Sequence, residues 1–226
     1  MPGAEPNTSH LIEFHGAKLI RSKLISPAVL REIETGRYEG EEIACALINI
    51  EPADVVLELG AGIGALSSVI LTRKPAASWV CVEANPELIP LIRKNHKLNA
   101  LGNVEVISGM LSNEPEPKEH DFYVTEDFWA SSLTRPTAFK EIKKIPGHRF
   151  GDVLARYRPT FIICDIEGGE YELFTSRVDL AGVRKLCIET HPAPRERLEG
   201  LDAFLAAEGF LLDRPPLRLG VNYWRR

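Results

Sequence analysis

The sequence predicts a doubly wound α/β fold whose sheet is mostly parallel and ends in an antiparallel terminal strand. Three observations carry that expectation. Apolar, β-branched runs alternate with helix-length segments from Asp54 onward, a glycine-rich turn follows the first run, and the last two runs lie too close together for a helical crossover. Parallel neighbours must be joined by crossovers that cover the sheet with helices, whereas antiparallel neighbours need only a short link.

Taken in order, the first ten residues show no periodicity and are expected to be loose. Ser26-Pro27 opens a short helix, with serine as N-cap and proline at the first helical position, and Gly36 ends it. A second helix over about 41–48 presents Ile43, Ala44, Leu47 and Ile48 on one face. Residues 1–50 are thus expected to be an N-terminal helical extension, and 51–226 the main domain. In that domain VVLEL (55–59), SWVCVE (78–83), NVEVIS (103–108), TFIICDI (160–166) and RKLCIET (184–190) read as strands. ALSSVILTR forms the helix after the first strand. A helix capped by Asn85-Pro86, with Leu88, Leu91, Ile92 and Asn95 at helical spacing, follows the second. A helix over about 195–208 stops at Gly209, and FLLD and LRLGVNYW close the chain as a strand pair.

The segment from about 112 to 159 far exceeds the ~2–6 residues of an ordinary connection. Its acidic, proline-containing start and its aromatic stretch FYVTEDFWASSL are expected to form a lid above the carboxyl edge of the sheet. Phe122, Tyr123, Phe128 and Trp129 fit either of two roles there, stacking an acceptor ring or anchoring the lid. HRFGDVLARYRP, at its end, reads as an amphipathic surface helix.

Composition narrows the function. Of 226 residues, 27 are Lys or Arg and 32 Asp or Glu, for a net charge of −5, and 44% are hydrophobic. Wholesale disorder and disulfide-stapled miniproteins are excluded by that balance. The acidic surplus speaks against a nucleic-acid partner, which would need a concentrated basic surface. No membrane partner is expected, because the longest uncharged run, 59–72, contains three glycines and falls short of the ~18 residues a span requires. Cys45, Cys81, Cys164 and Cys187 form no Cys-x-x-Cys pair, and the N-terminus lacks the pattern of a signal peptide. Reduced core thiols and a cytoplasmic location are the expectation. A homo-oligomer fits the sequence as well as a monomer does.

The strongest local signal is Glu58-Leu59-Gly60-Ala61-Gly62-Ile63-Gly64. Glycines permit positive φ and close approach of a ligand to backbone, and the helix that follows offers unpaired N–H groups. Glu83, at the tip of the second strand, faces the same crevice and can accept hydrogen bonds from a ribose diol. Gly60, Gly62 and Ala65 also fit the dinucleotide fingerprint, with Glu83 near the expected ~20-residue spacing. Glu58 separates the two readings, since a carboxylate beside the turn suits a cationic ligand and repels a pyrophosphate.

VLELGAGIGALS followed by VCVEANPELIPLIRKNHKLNALGNV resembles the cofactor-binding half of class I S-adenosylmethionine-dependent methyltransferases, which are Rossmann-like. IICDIEGGEYELF is similar to the Asp-x-Glu-Gly-x-Glu signature of the FkbM family within that class, and GRYEGEEI and FWASSL also look like that family. The resemblance spans roughly residues 36–213. It implies S-adenosyl-L-methionine as cofactor, with Glu58, Gly60, Gly62 and Gly64 around its methionyl part, Glu83 on the ribose, and Ala84 and Met110 near the adenine. Ile163 stands where many family members carry Lys, two residues before the signature aspartate.

Asp165 and Glu167 end the fourth strand, while Glu189 and His191 end the fifth. Period-two spacing puts each pair on one side of its strand, and both ends open on the crevice of the glycine turn. A hydroxyl acceptor needs a base, for which Asp165 and His191 are the candidates, with Glu167 orienting the acceptor. The same oxygen and imidazole groups suit a divalent metal, but no tight ligand spacing marks one, so none is expected. The sequence therefore predicts an O-methyltransferase for a small-molecule, sugar or polyketide-type hydroxyl. A nicotinamide-dependent oxidoreductase and a non-catalytic binding module are the alternatives. Methylation of nucleic acid lacks both a basic face and an Asn/Asp-Pro-Pro-Tyr/Phe motif.

Overall fold

The computed structural model describes residues 10–133, 135–175, 178–213 and 220–226. Residues 1–9 of the ten expected to be loose, and the start of LRLGVNYW, lie outside those residues, while His10 is held by its carbonyl, which accepts the Arg21 N–H at 2.8 Å. The chain opens on a hairpin of β1 (Leu11–Phe14) and β2 (Ala17–Ile20), where helices alone were expected. His15 and Gly16 both take positive φ, as a two-residue hairpin turn requires, and Phe14, Ala17 and Leu19 point inward. The apolar alternation around His15-Gly16 was the available signal for this turn. The hairpin's buried side chains join the same core as the main domain's helices, so the N-terminal segment packs on the sheet layer rather than standing apart.

Helix α1 (Pro27–Glu34) starts as expected, its Ser26 side chain accepting from the Val29 N–H. Helix α2 (Gly40–Asn49) shows a different inner face from the expected one. Ile43 and Ala46 are buried together with Glu42, whereas Ala44 is exposed and Ile48 is 78% exposed. Packing against the sheet region turns α2 so that Glu42 faces the carboxyl ends of the strands, and Ile48 is left in solvent.

The main sheet is built from β3 (Val55–Leu59), β4 (Ser78–Glu83), β5 (Val104–Ser108), β9 (Phe161–Cys164), β10 (Lys185–Thr190), β11 (Leu211–Leu212) and β12 (Gly220–Arg225). Among the described residues its order is β11-β12-β10-β9-β3-β4-β5. The pairs among β3, β4, β5, β9 and β10 are parallel, and β12 runs antiparallel to both β10 and β11. Helices α3 (Ala65–Arg73), α4 (Ile89–Leu98), α5 (Phe150–Tyr157), α6 (Glu170–Leu173) and α7 (Arg195–Ala207) complete the layers. Alternate residues of β3 enter two different cores: Val56 packs with α3 and α4, and Leu57 and Leu59 with α5 and α7. A strand covered on both faces reads as an uninterrupted apolar run, which is why these strands were legible.

The insertion folds into a small sheet of its own. In it β6 (Met110–Ser112) lies parallel to β8 (Glu141–Arg149), and β7 (Glu119–Val124) pairs antiparallel with β8. Helix α5 buries Phe150, Val153 and Leu154 against the main sheet, so it is the crossover helix into β9.

Candidate active site

The turn after β3 is held in its shape by three glycines at positive φ: Gly60 (84°), Gly62 (52°) and Gly64 (72°). At Gly60 a Cβ would meet the Asp165 carbonyl oxygen at 1.7 Å, so only glycine lets β3 and β9 close side by side here. A Cβ at Gly62 would lie 2.9 Å from the Tyr38 hydroxyl, and one at Gly64 would press on Ile92 and His96 of α4. Gly60 and Gly62 therefore shape the cavity, while Gly64 serves the packing of α3 on α4.

That cavity has a volume of about 530 Å³, within the usual range for a small-ligand site. Glu83 stands at its centre. Its Oε2 accepts from the Gly62 N–H at 2.8 Å and its Oε1 from the Asn85 N–H at 2.7 Å, which ties the tip of β4 to the glycine turn. Each oxygen keeps a lone pair for a ligand hydroxyl. Burial pushes the Glu83 carboxyl up to about 7, against the pull of these N–H donors. Ala84 and Met110 line the same end of the cavity.

Glu58 lies elsewhere. Its side chain points into the α3 layer, where it accepts hydrogen bonds from Trp79 Nε1 at 2.6 Å and Cys81 Sγ at 3.1 Å. It is 2% exposed, and burial raises it to about 7. The cause is period two along β3: residue 58 shares the side of Val56, not that of Leu57 and Leu59.

Opposite Glu83, residues that sequence reasoning left out of the binding set close the cavity. Tyr38 stacks on Trp129, ring centroids 6.2 Å apart and planes 19° apart, and meets Phe128 edge-on. Phe122, Phe128 and Trp129 line the cavity, whereas Tyr123 turns away onto Phe139. Glu39 also lines it, in the left-handed conformation (φ 49°), with a solvent-shielded Oε2 that has no hydrogen-bond partner. Burial holds the Glu39 carboxyl well above its ordinary range, and the charges of Glu58 and Glu42 add to that. The signal for Tyr38 and Glu39 lay in GRYEGEEI, whose acids look like an ordinary helix start.

The strand-end groups converge. His191 Nε2 lies 3.4 Å from Glu167 Oε2, 3.6 Å from Asp165 Oδ1 and 3.9 Å from Glu189 Oε2, while Nδ1 faces Glu170 Oε1 at 3.4 Å. Glu170 is fully buried and accepts the His191 backbone N–H at 2.9 Å. Burial and the neighbouring Glu189 carboxylate raise Asp165 well above its ordinary range. Burial alone would lower His191, but Glu170, Glu167 and Asp165 outweigh it and lift the imidazole to about 9. Glu167 itself sits at φ 51°, a strained backbone for a non-glycine residue.

Residues 40–127 match the family described as the methyltransferase small domain, a stretch that contains the glycine turn and Glu83. No curated protein matches the chain in sequence. Among solved structures, a protein of the NADB-Rossmann superfamily from Streptococcus agalactiae superposes with a TM-score of 0.50 at 14% identity, over 82% of this chain and 68% of that one. The fold class is Rossmann-like. Precorrin-6y C5,15-methyltransferase from Geobacter metallireducens is similar over 83% of this chain and 87% of its own, at 14% identity and a TM-score of 0.49. The ribosomal protein L11 methylase from Lactobacillus delbrueckii subsp. bulgaricus is similar at 12% identity and a TM-score of 0.47, over 84% of this chain and 79% of that one. The main sheet is mostly parallel, with the antiparallel strand β12 next to β10, as the sequence predicts. Among the described residues, no helix is long and apolar enough to cross a membrane.

Proposed function

We propose that this protein is an S-adenosylmethionine-dependent methyltransferase of the FkbM type that transfers a methyl group to a hydroxyl of a small acceptor. The observation that carries the reading is the acidic lining of the cavity, whose burial-raised carboxyls a bound cation would draw back to the ionised form. Glu39, Glu83, Glu114, Asp165, Glu167 and Glu172 line it, and among the described residues no Lys or Arg does. Such a site favours a sulfonium and an amino group and disfavours the diphosphate of a nicotinamide cofactor. The match of residues 40–127 to a methyltransferase domain supports the same conclusion.

In this reading the Glu83 carboxylate takes the ribose hydroxyls, and Ala84, Met110 and Leu111 pack on the adenine. The methionyl part lies along Gly60 and Gly62, and a side chain at Gly62 would press on Tyr38 and Phe128 of the cavity wall. The bound cofactor supplies an electrophilic methyl group. The chain supplies position, because an in-line displacement gains most of its acceleration from alignment of the reacting atoms. It also supplies a proton acceptor: Asp165 Oδ1 is shielded from solvent and has no hydrogen-bond partner. Glu167 orients the acceptor hydroxyl, and the His191 imidazole holds the two acids at one point. Tyr38, Phe128 and Trp129 give the acceptor an aromatic wall and keep bulk water out.

Calorimetric titration with S-adenosylhomocysteine tests the reading. Saturable binding at micromolar concentration is expected, with no competition from NADH. Absence of binding at high micromolar concentration, or displacement by NADH, overturns it.

A further inference from the structure

Proton transfer requires one base and one orienting group, yet four ionisable side chains crowd a single point at the ends of β9 and β10. One ligand-type atom from each of Asp165, Glu167 and His191 falls within a common 4.8 Å. We infer that Asp165, Glu167 and His191 form a binding site for a divalent first-row transition ion, with Glu189 as a further ligand and Glu170 as the group that orients the imidazole.

The distances carry the argument. Separations of 3.4, 3.6 and 3.9 Å from His191 Nε2 to Glu167, Asp165 and Glu189 are long for N–H···O hydrogen bonds. Two ligands bound at about 2.0–2.2 Å to one ion, at tetrahedral or octahedral angles, lie roughly 3.0–3.6 Å apart. The two nearer carboxylate oxygens stand at that spacing from Nε2, and Glu189 needs only a few tenths of an ångström. Among the described residues, His191 is the one basic group within ion-pair reach of these three acids. One imidazole cannot balance three carboxylates.

A second observation is independent of the acids around Nε2. On the other side of the ring, the fully buried Glu170 faces Nδ1 and is anchored by the His191 backbone N–H. With an ion on Nε2 the ring proton would stay on Nδ1, where Glu170 Oε1, 3.4 Å away, needs to close by only a few tenths of an ångström to accept it, the arrangement found behind metal-bound histidines. Asp165 Oδ1, His191 Nδ1 and Glu170 Oε2 are all shielded from solvent without a hydrogen-bond partner. Such groups cost free energy unless something completes them. A second cavity of about 750 Å³, lined by Asp165, Glu167, Glu189 and His191, gives an ion a way in from solvent.

Mixed carboxylate and imidazole ligation suits Mn²⁺, Fe²⁺ or Zn²⁺ better than Mg²⁺ or Ca²⁺, which prefer oxygen alone. If the methyl-transfer reading holds, and on that reading alone, an ion here takes up Asp165 Oδ1 as a ligand in place of its proton-accepting role and restricts the acceptor to oxygen groups able to coordinate it, whose pKa the ion lowers.

The test uses the full chain freed of metal with EDTA and titrated with MnCl₂, followed by loss of the free Mn²⁺ electron paramagnetic resonance signal, and with ZnCl₂ by calorimetry. One ion per chain at micromolar concentration is expected, with Mg²⁺ a weak competitor. Asp165→Asn and His191→Gln should each weaken binding at least tenfold, and Glu170→Gln about 10- to 100-fold through the orientation of the ring. No saturable site in the wild-type protein overturns the inference without recourse to any variant. So does unchanged affinity in a folded Asp165→Asn/His191→Gln protein. S-adenosylhomocysteine binding, titrated separately on the same metal-free wild-type protein, reports on the methyltransferase reading: ion binding without it leaves the metal site standing, and the converse removes the metal site alone.

Discussion

The two ends of the parallel sheet hold buried acids in opposite ways. At the amino end, Asp54 is fully buried and saturated: Lys185 Nζ lies 2.5 Å from Oδ2, Thr160 donates to Oδ1 at 2.7 Å, and the Glu51 N–H donates at 2.8 Å. Burial alone would raise Asp54, but these partners hold it below its ordinary value. At the carboxyl end, Asp165 and Glu167 share one histidine and are raised. The lysine at the amino end is the first residue of β10, which places it beside Asp54. The carboxyl end lacks a matching cation, so burial and neighbouring carboxylates raise its acids, and a bound cation would draw them back to the ionised form. Balanced charge marks architecture here, and unbalanced charge marks function.

The largest expected effect falls at the balanced end. Lys185→Met leaves the buried Asp54 with the half-exposed Arg184 as its remaining cationic partner and should cost roughly 3–5 kcal/mol in urea unfolding. A loss below 1 kcal/mol would show that water reaches Asp54 and would break the contrast.

Next comes the cofactor end of the crevice. Glu83→Ala should weaken S-adenosylhomocysteine binding about 10- to 100-fold, since it removes an acceptor of charge-assisted hydrogen bonds. Asp165→Ala should weaken it less. The reverse order would show that the division between cofactor and acceptor regions is misplaced.

Glu58 carries the contrast into the core, where neutral donors and no cation meet a buried acid. Its folded pKa of about 7 lies above the unfolded value of about 4.5. The protonated side chain therefore contributes stability that is complete below about pH 4.5 and lost as pH rises through 7. Glu58→Gln should gain roughly 3 kcal/mol over the wild type at pH 8 and less than about 0.5 kcal/mol at pH 4.5, read from urea midpoints. A pH-independent difference would mean that Glu58 stays ionised in the fold.

The smallest effect tests exposure. Arg184 also pairs with Asp54, at 3.3 Å, but its side chain is half exposed. Arg184→Ala should cost no more than about 1 kcal/mol. A cost equal to that of Lys185→Met would mean that proximity alone, rather than burial, sets the strength of the amino-end cluster.

Much of this molecule was legible because its strongest signals are local. The strands β3, β4, β9 and β10 are covered on both faces and so are largely apolar; Ser26-Pro27 and Gly64 mark helix starts that geometry demands. The hairpin at 11–20 escaped because its strands are short and its turn lacks the Asn-Gly or Asp-Gly pairs that signal such turns most strongly. Ile48 was misplaced for a related reason. An amphipathic pattern says that one face is buried, and the neighbours select which one when several faces carry apolar groups.

The sequence by itself determined the strand order's raw material, the glycine turn, Glu83 at the tip of the second strand, and the acids at the ends of the fourth and fifth. Each follows from backbone conformation or from the two-residue period of a strand. Tertiary structure alone decided that Glu58 faces α3, that Tyr38 and Glu39 come from the N-terminal segment to close the cavity, and that Glu170 stands behind the His191 ring. These depend on which sheet face a residue takes and on contacts between segments far apart in the chain. Local pattern carries no record of either, because burial free energy is settled by the partner as much as by the residue.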